Sequence, residues 1–97
     1  MPAQMDWDDL RLVLAVARAH SLSGAARALA VNHATVFRRL AAIEGRLGVR
    51  LFDRHKGGYV PTAAGEEIVR VAGSIDEQVA DLDRRVAGRD LRLEGTL

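Results

Sequence analysis

The chain has 97 residues, no cysteine and a net charge of +1. That length bounds it to one small domain of roughly 60 residues plus an appendage, with a core so marginal that association should add stability. Disulfides and thiolate metal sites are excluded, no apolar run exceeds the six residues Leu12 to Ala17, and the amino terminus lacks the basic start and apolar stretch of a signal peptide; the expectation is a cytoplasmic protein that spans no membrane.

The small total charge hides a segregation. Residues 10–60 hold nine basic against two acidic side chains, a net +7, while residues 1–9 and 61–97 each carry −3. Such an excess marks a phosphate-binding surface, although an arginine-rich solvated surface would carry it equally well.

Met1 to Met5 reads as a loose terminus. Asp6 is placed to cap a helix, with Asp8 and Asp9 in its first turn, and Leu10, Val13, Leu14 and Ala17 give it an apolar stripe that runs to about His20. Trp7, alone in that first turn, is read as a packing anchor rather than a functional aromatic. In SLSGAARALAV, Ser21 or Ser23 can cap a short helix whose Ala25, Ala26 and Ala28 permit close contact, with Leu29 and Val31 as larger anchors.

The next stretch, VNHATVFRRLAAIEGRLGV, organises the chain. Val36, Leu40, Ile43 and Leu47 share one arc of a helix capped by Asn32 and closed at Gly48, while His33, Ala34, Phe37, Arg38 and Ala41 lie opposite. A polar ring, a large aromatic and a guanidinium at the amino-terminal end suit contact with base edges in a major groove, so residues 33–47 are a candidate recognition helix. With the short helix before it, joined by a tight connection, it forms a helix-turn-helix.

After Gly48 the pattern turns extended. Leu51 and Phe52, then RHKGG, then Tyr59 to Pro61 describe a β-hairpin, the wing of a winged helix, with Arg54, His55 and Lys56 at its tip; a plain solvent-facing turn would read similarly. Thr62 then caps a helix from about Ala63 to about Gly88, in which Ile68, Ala72, Ile75, Val79, Leu82 and Val86 recur at heptad spacing. At ~1.5 Å per residue it would extend some 35 to 40 Å, too far to bury its stripe on the small domain beside it. A second copy of the chain is the economical partner, core packing the alternative. The tail RDLRLEGTL alternates apolar and polar residues like an incipient strand.

The stretches SLSGAARALAVNHATVFRRLAAIEGRLGVRLFDR and PTAAGEE, with their spacing, resemble the amino-terminal part of LysR-type transcriptional regulators. The resemblance covers Leu10 to about Glu67 and, more loosely, the helix to Gly88. It implies a mainly α fold, with a winged helix-turn-helix over 1–61, a linker helix over 62–89 that dimerises in antiparallel fashion, and a hinge over 90–97 leading to a missing effector-binding domain. The expected function is sequence-specific binding of double-stranded DNA by a bacterial, nucleoid-associated homodimer on a pseudo-palindromic operator, a tetramer being open to the full-length protein. No cofactor is expected in this fragment, and a small-molecule effector would bind the missing domain.

Carried over by position, the resemblance implies base-edge contacts from His33, Ala34, Phe37 and Arg38. It implies backbone contacts from Ser21, Ser23, Asn32, Thr35 and Arg54, and wing contacts from His55 and Lys56. Arg39 is a flank position that either reaches phosphate or is solvated. The dimer interface would be Ile68, Ala72, Ile75, Val79, Leu82 and Val86. The family usually has Ser-Gln-Pro where this chain has Asn32, His33 and Ala34, and Ser where it has Phe37; these departures bear on base preference and leave the fold intact.

An enzyme is not expected. His20, His33 and His55 have no metal-ligand spacing, and neither a phosphate-cradling glycine loop nor a nucleophile motif is present. A helical dimerisation module without specific DNA binding is the stronger rival, but it leaves the +7 winged region unexplained.

Overall fold

The computed structural model describes residues 5–90. Three helices, α1 (Trp7–Ala19), α2 (Leu22–Leu29) and α3 (His33–Leu47), are followed by strands β1 (Phe52–His55) and β2 (Gly58–Pro61), the long helix α4 (Ala63–Arg84) and a π-helical extension, Arg85–Asp90. This is the expected winged helix-turn-helix with a linker helix. The expected strand-like tail lies mostly outside the described residues, as do the first four residues of the amino terminus.

Every α-helix begins on a side-chain acceptor that takes one of the backbone N–H groups a first turn leaves over. Asp6 accepts from the Asp9 amide at 3.0 Å, Ser21 from Gly24 at 2.9 Å, Asn32 from Thr35 at 2.9 Å and Thr62 from Gly65 at 3.1 Å. Each such cap is worth about 1 kcal/mol. Asp9 does more, because its carboxylate also accepts from the Asp6 amide and from Arg46 Nη2 at 2.7 Å, tying the start of α1 to the end of α3.

The helix ends are less conventional. Gly48 closes α3 in the left-handed region at φ 71°, where glycine is at ease, but His20 and Ala30 close α1 and α2 there too, both at φ 59°. Ala30 is thus the strained position in the turn of the helix-turn-helix.

The core centres on α1, which packs on α2, α3, α4 and β2. Leu12, Val13 and Val16 are fully buried, together with Val36 and Ile43 of α3 and Leu51 before the wing. The expected stripe of Leu10, Val13, Leu14 and Ala17 was therefore too narrow: Leu12 and Val16 are buried and Leu10 is only half-buried, since α1 is enclosed on several sides. Ala28 of α2, expected at a close helix contact, is exposed.

The wing is an antiparallel pair in which Phe52 faces Pro61, Arg54 faces Tyr59 and His55 faces Gly58, so the turn is Lys56-Gly57. Two backbone contacts hold it down. The Tyr59 amide donates to the His20 carbonyl at 2.9 Å, and the Thr62 amide to the Leu51 carbonyl at 2.9 Å. Glycine is required at both approaches: a Cβ at Gly58, itself at φ 123°, would run into the His20 carbonyl, and one at Gly65 into the Leu51 carbonyl.

The heptad stripe on α4 divides between two environments. Ile68 packs against the core and Ala72 is fully buried, because α1 runs alongside the first half of α4, and the Arg18–Asp76 ion pair at 3.1 Å ties the two helices together. Ala72 therefore belongs to the chain's own core, not to a subunit interface as expected. Beyond it Ile75 is half-buried, while Val79 and Leu82 are 50% and 52% exposed. The α-helix stops at Arg84, short of the expected Gly88; the wider π turn carries Val86, also exposed, out of the α-helical register that the heptad assumes.

Candidate nucleic-acid interface

Burial of Val36, Leu40 and Ile43 orients α3, and so dictates what its other side presents. His33, Ala34, Phe37 and Arg38 are all exposed, with half of the Phe37 surface open to solvent. Phe37 is the most exposed large apolar side chain on α3, and a half-open aromatic of that size is a candidate contact surface.

Two concavities flank Phe37. One is formed by the amino end of α2 (Ser21, Leu22, Ser23), the start of α3 (His33), and Arg54, Gly58 and Tyr59 of the wing, with His20 at its edge. The other lies between α3 and the wing, lined by Phe37, Ala41, Glu44, Arg50, Arg54 and Tyr59. Residues from three parts of the sequence, Ser21 and Ser23, His33 and Phe37, and Arg54, thus meet on one side of the molecule. The Ser21 and Asn32 side-chain oxygens are already engaged as helix caps, leaving the Ser21 hydroxyl proton and the Asn32 amide N–H groups to meet a ligand.

Ion pairing sorts the basic side chains. Arg46 is matched by Asp9 at 2.7 Å, Arg50 by Asp53 at 4.0 Å and Arg18 by Asp76. Among the described residues Arg11, Arg27, Arg38, Arg39, Arg54 and Lys56 have no acidic partner, and of these Arg38, Arg54 and Lys56 lie on α3's outer side or the wing. Part of the basic excess is therefore left unpaired on the side formed by α3 and the wing.

Arg39 does not join that outward group. It shares the side of α3 occupied by Ile43, four residues on, and its Nη2 reaches back to the Asp8 carbonyl at 3.5 Å; it is half-buried against the start of α1 and turned off the outward face. Thr35, also half-buried, has its amide committed to the Asn32 cap. Nor is the wing tip a single basic cluster, since strand alternation sends Arg54 and His55 to opposite faces of the hairpin.

Tyr59 was missed in the sequence. Its ring lies 5.5 Å from the Arg54 guanidinium and meets Phe52 edge-on at 6.2 Å, with Phe52 buried beneath. The signal was there: once the turn is placed at Lys56-Gly57, Arg54 and Tyr59 must sit opposite each other.

A family profile described as "Bacterial regulatory helix-turn-helix protein, lysR family" matches residues 7–66, from the first turn of α1 into α4. The chain belongs to the LysR family. Over 58 residues it is 48% identical to the Mau operon transcriptional activator of Paracoccus denitrificans, covering 60% of this chain and 20% of that protein. Among solved structures, the CbnR_DBD-DNA complex is 32% identical, with a TM-score of 0.68 over 86% of this chain and 95% of that one. Full-length LysG from Corynebacterium glutamicum is 28% identical, with a TM-score of 0.75 over 88% of this chain and 29% of that one. The chain spans 20% to 28% of the length of the first curated relatives it matches. No described helix is long and apolar enough to cross a membrane.

Proposed function

We propose that this chain binds double-stranded DNA sequence-specifically as part of a LysR-type transcriptional regulator, with α3 in the major groove and the wing beside the minor groove. The observation that carries this reading is the side of the molecule where Phe37 stands out from α3 between Ser21 and Ser23 and the wing's Arg54, with the next residue, Arg38, also exposed. His33, Ala34, Phe37 and Arg38 face base edges; Ser21, Ser23, Asn32, Thr35 and Arg54 face phosphates; His55 and Lys56 serve the wing. The name of the CbnR_DBD-DNA complex, a structure alike over 86% of this chain, supports the same ligand.

One such unit covers a half-site, and two held at a fixed spacing would grip a pseudo-palindromic operator. The exposed Val79 and Leu82, with Ile75 and Val86, supply a surface for a second copy of the chain. Ile68 and Ala72 are left out of it. The protein would act on nucleoid DNA in the bacterial cytoplasm. The relatives are much longer, and we assign a small-molecule effector, and any tetramer, to such further chain, and no cofactor to these residues.

Selection from a pool of random duplexes tests the reading. Enrichment of a two-armed motif is the expected result; recovery of unenriched sequence, with binding that ignores base composition, would leave only a dimerising module with a basic surface.

A further inference from the structure

We propose that Tyr59 is a positioning residue for DNA binding, acting through Arg54 and not by touching DNA through its hydroxyl. This rests on the DNA-binding reading above and deepens it at one phosphate contact.

Arg54 and Tyr59 are directly opposite in the hairpin register, on the face that carries Phe52 toward the core. The guanidinium carbon stands 5.5 Å from the centre of the Tyr59 ring. The ring is held by Phe52 and its backbone by His20. Phe52, 3% exposed, meets it edge-on at 6.2 Å and 66°, and the Tyr59 backbone is pinned to the His20 carbonyl. A fixed ring thus supports a side chain that would otherwise sample many rotamers, and both residues line the two concavities on either side of Phe37.

A guanidinium resting on a ring face keeps the N–H groups of its edges, which are the groups that pair with phosphate oxygens. Among the described residues no carboxylate competes for them. Arginine that is already ordered loses less freedom on binding than a free one, so the ring's contribution appears in affinity while the charge stays the same.

The experiment measures binding of the 97-residue chain to a mixed-sequence DNA duplex across a range of salt for Arg54→Ala, Tyr59→Phe, Tyr59→Trp, Tyr59→Leu and Tyr59→Leu combined with Arg54→Ala. Arg54→Ala should flatten the slope of log K against log salt by about 0.9, one phosphate's share. Tyr59→Leu should weaken binding by about two- to fivefold, the strength of an exposed cation–π contact, with the slope unchanged. Tyr59→Phe and Tyr59→Trp should bind like the parent, and Tyr59→Leu should add nothing in the Arg54→Ala background. Equal losses with and without Arg54, or a loss in Tyr59→Phe matching that in Tyr59→Leu, would overturn the proposal while leaving DNA binding intact. Absence of duplex binding by the parent chain at low salt would instead overturn the functional reading on which it stands. Should Tyr59→Leu melt early, Tyr59→Val, which suits a strand, takes its place with and without Arg54→Ala, and equal losses in the two backgrounds would overturn the proposal in the same way.

Discussion

The amide of Tyr59 donates to the carbonyl of His20 across 2.9 Å, joining the returning strand of the wing to the left-handed residue that ends α1. The wing is therefore indexed to the helix at the centre of the core and not left to swing on its two-residue turn. Gly58 makes the contact attainable, because any Cβ there would meet the same carbonyl.

Gly58→Ala should consequently dislodge the wing. The loss combines a steric collision with a backbone angle of φ 123° that L side chains rarely adopt, and we expect a destabilisation of about 1 to 3 kcal/mol. Thermal unfolding followed by circular dichroism measures it; a melting temperature equal to the parent's would show that the wing shifts without cost.

Ala30 offers the opposite sign. It ends α2 at φ 59°, and glycine there relieves about 1 to 2 kcal/mol of left-handed strain while giving the unfolded chain about 0.4 to 1 kcal/mol more entropy. Ala30→Gly should thus stabilise the fold by about 0.5 to 1 kcal/mol, read from the midpoint of urea unfolding. A lowered midpoint would contradict this.

On the outward face, Arg38 and Lys56 should separate reading from holding. Arg38→Ala is expected to cost about 1 to 3 kcal/mol on a selected site and to relax discrimination at one base pair, whereas Lys56→Ala should weaken every duplex alike. Competition titrations with single-base variants of the selected site show which pattern holds, and a uniform loss for Arg38→Ala would move it among the phosphate contacts.

Phe37→Ser should alter preference more than strength. The ring is half exposed beside the base-facing positions, so its loss removes apolar contact with thymine methyls and little of the core. Repeating the selection with this variant should return a different motif; an identical one would retire Phe37 as a base contact.

Along α4, two substitutions seven residues apart should have unlike effects. Ala72→Leu forces bulk into the packed seam with α1 and should cost about 1 to 3 kcal/mol of folding stability. Val79→Asp should leave the winged domain folded, convert a dimer to a monomer and spare only weak half-site binding. Sedimentation and melting curves on both proteins would expose the error if Val79→Asp stayed dimeric.

Much of this was readable from residue order. Asp6, Asn32 and Thr62 announce helix starts because a short polar acceptor directly precedes an apolar period, and the face of α3 follows from Val36, Leu40 and Ile43. The half-buried place of Arg39 follows from its spacing from Ile43. Other features are not local. His20 and Ala30 adopt left-handed angles without a glycine to advertise them, since the connection between packed helices imposes the angle. A heptad pattern states that Ile68 to Val86 share a stripe but not who covers it, and the division at Ala72 arises only once α1 has been laid against α4.

That division gives α4 a mechanical character. Thr62 caps it onto the chain that leaves α3, the Thr62 hydroxyl also donating to the Arg50 carbonyl at 2.7 Å, and Gly65 and Ala72 seat its first half without slack. The helix is seated on α1, which also packs against the recognition helix, like a crank whose handle is the exposed end near Leu82. In a dimer joined at those handles, a few degrees of rotation between subunits would be magnified into ångströms of travel at the two α3 helices, so that changing the subunit angle retunes the distance between half-sites without remaking a single contact to a base.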